Sequence, residues 1–150
     1  MQLKQATKTA LEKINFIERY KTLSNKYAFD LKEAFERYDI NEVLNIIDGL
    51  GYKASYNKSE NFFKIVEKTP EFKFQFNISL KYGLVELIWA IWMGKEYFDG
   101  SNWVMLKRLL DGMDENLRDP RFRNYVELKE ILEIALSIYE DFKHEFLANQ

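Results

Sequence analysis

The chain has 150 residues, the size of one domain and enough to bury a sizeable core. Charged residues make up 31%, which excludes a disordered composition, and the longest apolar run, 87–93, is far short of the ~20 residues a transmembrane helix needs. No cysteine occurs, which removes disulfides, thiolate metal sites and cysteine nucleophiles together.

The first stretch, residues 3–23, carries Leu3, Ala6, Ala10, Ile14, Ile17 and Tyr20 at steps of three and four, which predicts one helix. It lacks the basic-then-apolar layout of a signal peptide, so a soluble cytoplasmic protein is expected. Asp30 followed by Glu33 has capping-box spacing and predicts a second helix holding Leu31, Ala34, Phe35 and Tyr38. Asn41 is the expected cap of a third helix through Val43, Leu44, Ile46 and Ile47, stopped by Gly49 or Gly51.

Strands follow. Residues 52–57 and 62–67 read as two short ones, separated by the turn material of 57–61. Residues 72–82 alternate without a break: Phe72, Phe74, Phe76, Ile78, Leu80 and Tyr82 against Lys73, Gln75, Asn77, Ser79 and Lys81. That pattern gives a strand with one buried and one wet face, in a register that a one-residue slip would ruin. Gly83 turns the chain into 84–93, which is apolar on both faces except for Glu86 and is therefore expected to be central or covered on both sides. Connections this short predict a four-stranded antiparallel meander over 52–93.

Beyond Asp99 and Gly100 the helical period returns. Ser101 or Asn102 caps a helix through Trp103, Val104, Leu106, Leu109 and Leu110, ending near Gly112, and 114–120 is a charged loop. In 124–147 Tyr125, Leu128, Leu132, Ala135, Tyr139, Phe142 and Phe146 form an unbroken apolar stripe suited to covering the sheet. The expected architecture is one α+β domain over 1–150, with N-terminal helices and two C-terminal helices packed on the meander.

Reactive groups are scarce. His144 is the only histidine and falls near the end of the closing helix, where a cation favours the negative helix terminus. Ordinary zinc sites and nucleophilic triads lack their parts. Asp111, Asp114 and Glu115 are close in sequence without calcium-loop spacing. Glu86, alone among apolar neighbours, is a structural group or an acid of raised pKa. No catalytic residue, metal or cofactor is expected.

Net charge is only −2, but residues 1–29 hold a balance of +4 and residues 96–150 a balance of −5. The candidate recognition helix 41–48 carries two acids and no base, and the wet face around Lys73, Gln75, Asn77 and Lys81 lacks stacking aromatics, which disfavours nucleic acid. Protein binding fits better. Aromatic anchors among charge make good interfaces, and Glu96, Tyr97, Asp99, Trp103, Asp111, Asp114, Glu115 and Asp119 are the expected partner contacts. The wet sheet face around Lys73, Gln75 and Asn77 is the second choice.

The segment 79–89, Ser-Leu-Lys-Tyr-Gly-Leu-Val-Glu-Leu-Ile-Trp, and the later Tyr97-Phe98-Asp99-Gly100 resemble parts of bacterial immunity proteins of polymorphic-toxin and contact-dependent growth inhibition systems. The small, cysteine-free, mildly acidic layout resembles them too. The resemblance implies a cytoplasmic, non-catalytic toxin inhibitor, a monomer or homodimer, that blocks a cognate toxin, often a nuclease and here a basic one. In size and acidity the chain is also similar to secretion chaperones, and a nucleic-acid-binding regulator is the remaining alternative.

Overall fold

The computed structural model describes residues 2–150. Where the sequence predicts one N-terminal helix there are two, α1 (Gln5–Lys13) and α2 (Phe16–Lys26). Asn15 breaks them apart with a left-handed backbone, φ 59°. Asparagine tolerates that conformation better than other side chains do. The break lets Ala10 and Leu11 of α1 and Phe16, Tyr20 and Leu23 of α2 all reach the core.

Asp30 caps only a single 3-10 turn (Leu31–Glu33), not the predicted helix. The chain then runs extended, because the Phe35 N–H donates to the Phe122 carbonyl at 3.0 Å and its ring packs on Phe122 and Tyr125. These tertiary contacts override a local helix signal. Helix α3 (Ile40–Gly49) begins earlier than Asn41 suggests, since Asp39 is its cap and accepts from Asn41 and Glu42 N–H.

The α+β class and the antiparallel meander are present, with one strand more than expected. β1 (Ala54–Asn57), β2 (Phe62–Lys68), β3 (Phe72–Lys81), β4 (Leu84–Met93) and β5 (Glu96–Asn102) lie in sequence order, each antiparallel to its neighbours. β5 was hidden by its composition, since Asp, Gly, Ser and Asn are poor strand formers. It pairs because Gly100, at φ 150°, brings its backbone so close to the Trp89 carbonyl that any Cβ would collide. A register shift between Ile91 and Trp92 marks a bulge in the same pair. The other end of β4's edge is closed by 120–122, where Val85 N–H donates to Pro120 O and Phe122 N–H to Gly83 O.

Two helices complete the chain: α4 (Trp103–Asp111), capped by Asn102, and α5 (Tyr125–Ala148), capped by Asn124. Of the two residues proposed as the first cap, Asn102 is the one used; its Oδ1 accepts from Met105 N–H at 2.8 Å. Gly112, left-handed at φ 67°, stops α4.

All ring contacts between helices and sheet lie on one face. Trp103 stacks on Phe76, Phe142 stacks on Trp89 at 4.5 Å, Phe16 meets Trp89, and Phe146 meets Phe72 and Phe74. The buried apolar residues form one cluster there. Each fully buried ring contributes about 1.5–3 kcal/mol.

β4 is central, between β3 and β5, which is one of the two placements its apolar faces predict. It is not covered on both sides, since Ile88, Ala90 and Trp92 keep solvent access, as do their outer-face neighbours on β2 and β3. Antiparallel sheets tolerate a solvated face, so the apolar outer residues need another explanation. Among the described residues no helix is long and apolar enough to cross a membrane.

Candidate partner-binding surfaces

The expected acidic surface runs from β5 through α4 into the following loop, and the fold uses most of its side chains internally. Trp103 is 0% exposed, wedged among Phe16, Tyr20, Phe76 and Trp89, so it is a core residue and not a contact anchor. Asp99 is also buried. The bulge lets Phe98 and Asp99 both turn inward; Phe98 meets Phe72 and Phe146. The Asp99 carboxylate accepts from Lys4 N–H at 2.9 Å and from Gly100 N–H at 3.0 Å, tying β5 to the start of α1.

Lys107 explains two more acids. It is 2% exposed, and its ammonium lies 2.9 Å from Asp111 and 3.3 Å from Glu115. Burial pulls its pKa down, but hydrogen bonds to those carboxylates outweigh burial and hold it above the usual lysine value. Asp111 is held below its ordinary value: burial opposes this, while the Met113 N–H and Lys107 outweigh it. Glu115 is lowered as well, by Lys21 at 3.1 Å and by Lys107. Asp114 is exposed and pairs with Arg108 at 2.8 Å. Asp119 accepts from the Tyr20 hydroxyl at 2.7 Å, and burial pushes its pKa up to about 6, the Glu86 charge adding to the rise. Of the eight expected contacts, Glu96 and Tyr97 are left exposed without an acid–base partner, and Tyr97 belongs to the sheet's outer face.

That outer face forms rows across the strands. Directly paired residues share a face, so Lys64, Asn77, Ile88 and Asn102 make one row, and Val66, Gln75, Ala90 and Gly100 the next. The row nearest the β2–β3 and β4–β5 turns is Lys68, Lys73, Trp92 and Tyr97. Here the Lys73 ammonium sits 4.8 Å from the centre of the Trp92 ring, and Tyr97 meets Trp92 edge-on at 5.4 Å. The Tyr97 hydroxyl donates to the Gly100 carbonyl at 3.0 Å, which fixes the ring although half of the residue is exposed. No protein-family model, curated protein or solved structure matches the chain.

An open groove of about 440 Å³ lies beside Tyr38, Leu80 and Tyr82. A cleft of about 150 Å³ between α2 and the 116–121 loop holds Ser24, Arg118, Asp119 and Arg121, and Glu86 is not in its wall. His144 lies exposed more than a turn before the end of α5, with Asp141 and Glu145 near it and far in sequence from Asp119. Among the described residues no three His, Asp or Glu are gathered as metal ligands.

The aromatic half of the outer face was within reach of the sequence. Tyr97 is one of the expected contacts, but without β5 it shares no surface with Trp92. The strand pairing supplies it.

Proposed function

We propose that the chain is a non-catalytic binding module of the immunity-protein kind, which holds a cognate toxin in the cytoplasm and blocks it. One observation carries the reading: a five-stranded sheet packs all its helices on one face and leaves the other open, with Val66, Ile88, Ala90, Trp92 and Tyr97 on it. Rigid sheets presenting apolar and aromatic side chains to water are what association surfaces require. Strand pairing fixes the backbone in advance, which limits the ordering cost of binding. The acids from Glu96 to Asp119 are poor phosphate mimics by comparison, because Lys107, Lys21 and Arg108 already neutralise three of them.

The test is protection in cells. The protein is expressed with the toxin encoded beside its gene, and survival is scored alongside binding of an inactive toxin variant. Val66→Ser and Tyr97→Ala, both at exposed positions, should together weaken binding about tenfold or more if they line the contact, with the melting transition kept. Absence of protection by the unaltered protein would reject the immunity reading. Full protection by the double variant would move the contact off this face.

A further inference from the structure

We propose that the row Lys68, Lys73, Trp92 and Tyr97 is a carboxylate-receiving site, and that the partner segment lying on the outer face is acidic. This rests on the reading of the chain as a protein-binding module, and it reverses the charge expected of the partner at the contact.

The row pairs two like charges. Lys68 and Lys73 are directly opposite in the β2–β3 ladder, on the solvent side. Like charges in that position destabilise a sheet. Among the described residues neither lysine is in an ion pair. Glu67, next in sequence to Lys68, faces the other side and is bound to Lys143. A carboxylate placed between the two ammonium groups would satisfy both at once.

The surroundings extend the same preference. Lys64 and Lys81 also belong to the outer face, where Glu86 is the acid among the strand residues. The face is thus positive on a molecule whose net charge is −2. Trp92 is held by Lys73 on its ring and by Tyr97 at its edge, leaving an aromatic wall beside the lysine pair. Ile88 and Ala90 continue the apolar side along β4, and Val66 lies across Gln75 on β2. The combination fits a protein segment in which acidic and apolar side chains alternate, as on one strand or loop. It fits a nucleic acid poorly. The Trp92 ring is already engaged, and arginine is missing from the row.

The probes are a short peptide alternating Asp and Phe, its counterpart with Lys in place of Asp, and a short oligothymidylate. Each is titrated into the full chain at low salt while amide and indole signals are followed by NMR. The acidic peptide should bind saturably and shift residues 68, 73, 92 and 97, and the basic peptide should not. Lys68→Glu should weaken the acidic peptide about tenfold, the loss of one charge-assisted contact. The same substitution should raise the melting temperature, since it replaces repulsion by a cross-strand pair.

A lowered melting temperature would make the lysine pair structural and overturn the proposal. So would shifts confined to other residues, equal binding of the two peptides, or tighter binding of the oligothymidylate, which would make the face a nucleic-acid surface. The toxin assay separates the two readings. Protection that survives Lys68→Glu ends the carboxylate-site proposal and leaves the immunity reading standing. Specific peptide binding by a protein that protects against no neighbouring toxin does the reverse.

Discussion

Asp119 shows how a side chain proposed for a partner becomes a constraint on the fold. It lies behind α2, bound to the Tyr20 hydroxyl, with its pKa raised from 3.8 to about 6 by burial first and by Glu86 second. A carboxyl whose folded pKa is raised stabilises the fold fully below its unfolded pKa and loses that contribution as pH rises through the folded one. The window is therefore about pH 4 to 6. At neutral pH the folded protein carries a half-buried charge it would hold more easily as an acid. Asp119→Asn keeps an oxygen that accepts from Tyr20 and removes the charge. It should be more stable than the unaltered protein at about pH 7, by roughly 1–3 kcal/mol, with the difference gone near pH 4. Urea unfolding across that range measures it. A variant less stable than the parent at neutral pH would mean that the ionised Tyr20–Asp119 contact holds the loop to α2.

Elements differed in how plainly the sequence announced them. β3 could be read residue by residue, because five large apolar side chains at a period of two leave one choice of face. The closing helix was legible for the same reason at the helical period. What escaped was set by tertiary contact. Residues 34–39 hold a good helix signal but are pulled extended by Phe122 and Tyr125. β5 pairs through a glycine and a bulge that no periodicity records. The acids of the candidate site were visible as residues, whereas their partners Lys107, Lys21 and Arg108 were not. The α1–α2 junction is a measurable case. A continuous helix through Asn15 would carry Phe16 and Tyr20 away from their places beside Trp103. Asn15→Gly should leave stability nearly unchanged, while Asn15→Val should lose about 1–2 kcal/mol, since a β-branched residue resists the left-handed conformation. Denaturant midpoints of the two variants decide it. Equal stability with a gain of helical circular dichroism in the valine variant would show that the helices can merge.

At the scale of the whole molecule, the charge asymmetry between the chain's two ends is partly neutralised within the fold. Arg19 pairs with Asp141 at 2.8 Å, Lys21 with Glu115, and the Lys4 backbone N–H donates to Asp99. The basic and acidic ends meet through Arg19 and Lys21, while Lys8, Lys13 and Lys26 are in no ion pair among the described residues. The consequence is sharpest for Asp111, the last residue of α4, and Asp114 in the loop beyond it, which differ in duty. Asp111 helps to neutralise Lys107, which is nearly out of solvent, while Asp114 is 81% exposed on its side chain and answers only Arg108. Asp111→Lys sets a second ammonium against the first and should cost about 1–3 kcal/mol, loosening the end of α4. Asp114→Lys breaks a surface pair and should change stability by less than about 0.5 kcal/mol. On an acidic interface the two reversals would instead act alike, slowing association with a basic toxin while both proteins stayed folded, an effect that weakens with salt. Melting curves and toxin-binding rates on the two single variants separate the cases. Stability lost at Asp111 alone, with binding by Asp114→Lys unchanged, places these carboxylates in the scaffold; matched losses of association rate at unchanged stability would return them to the interface.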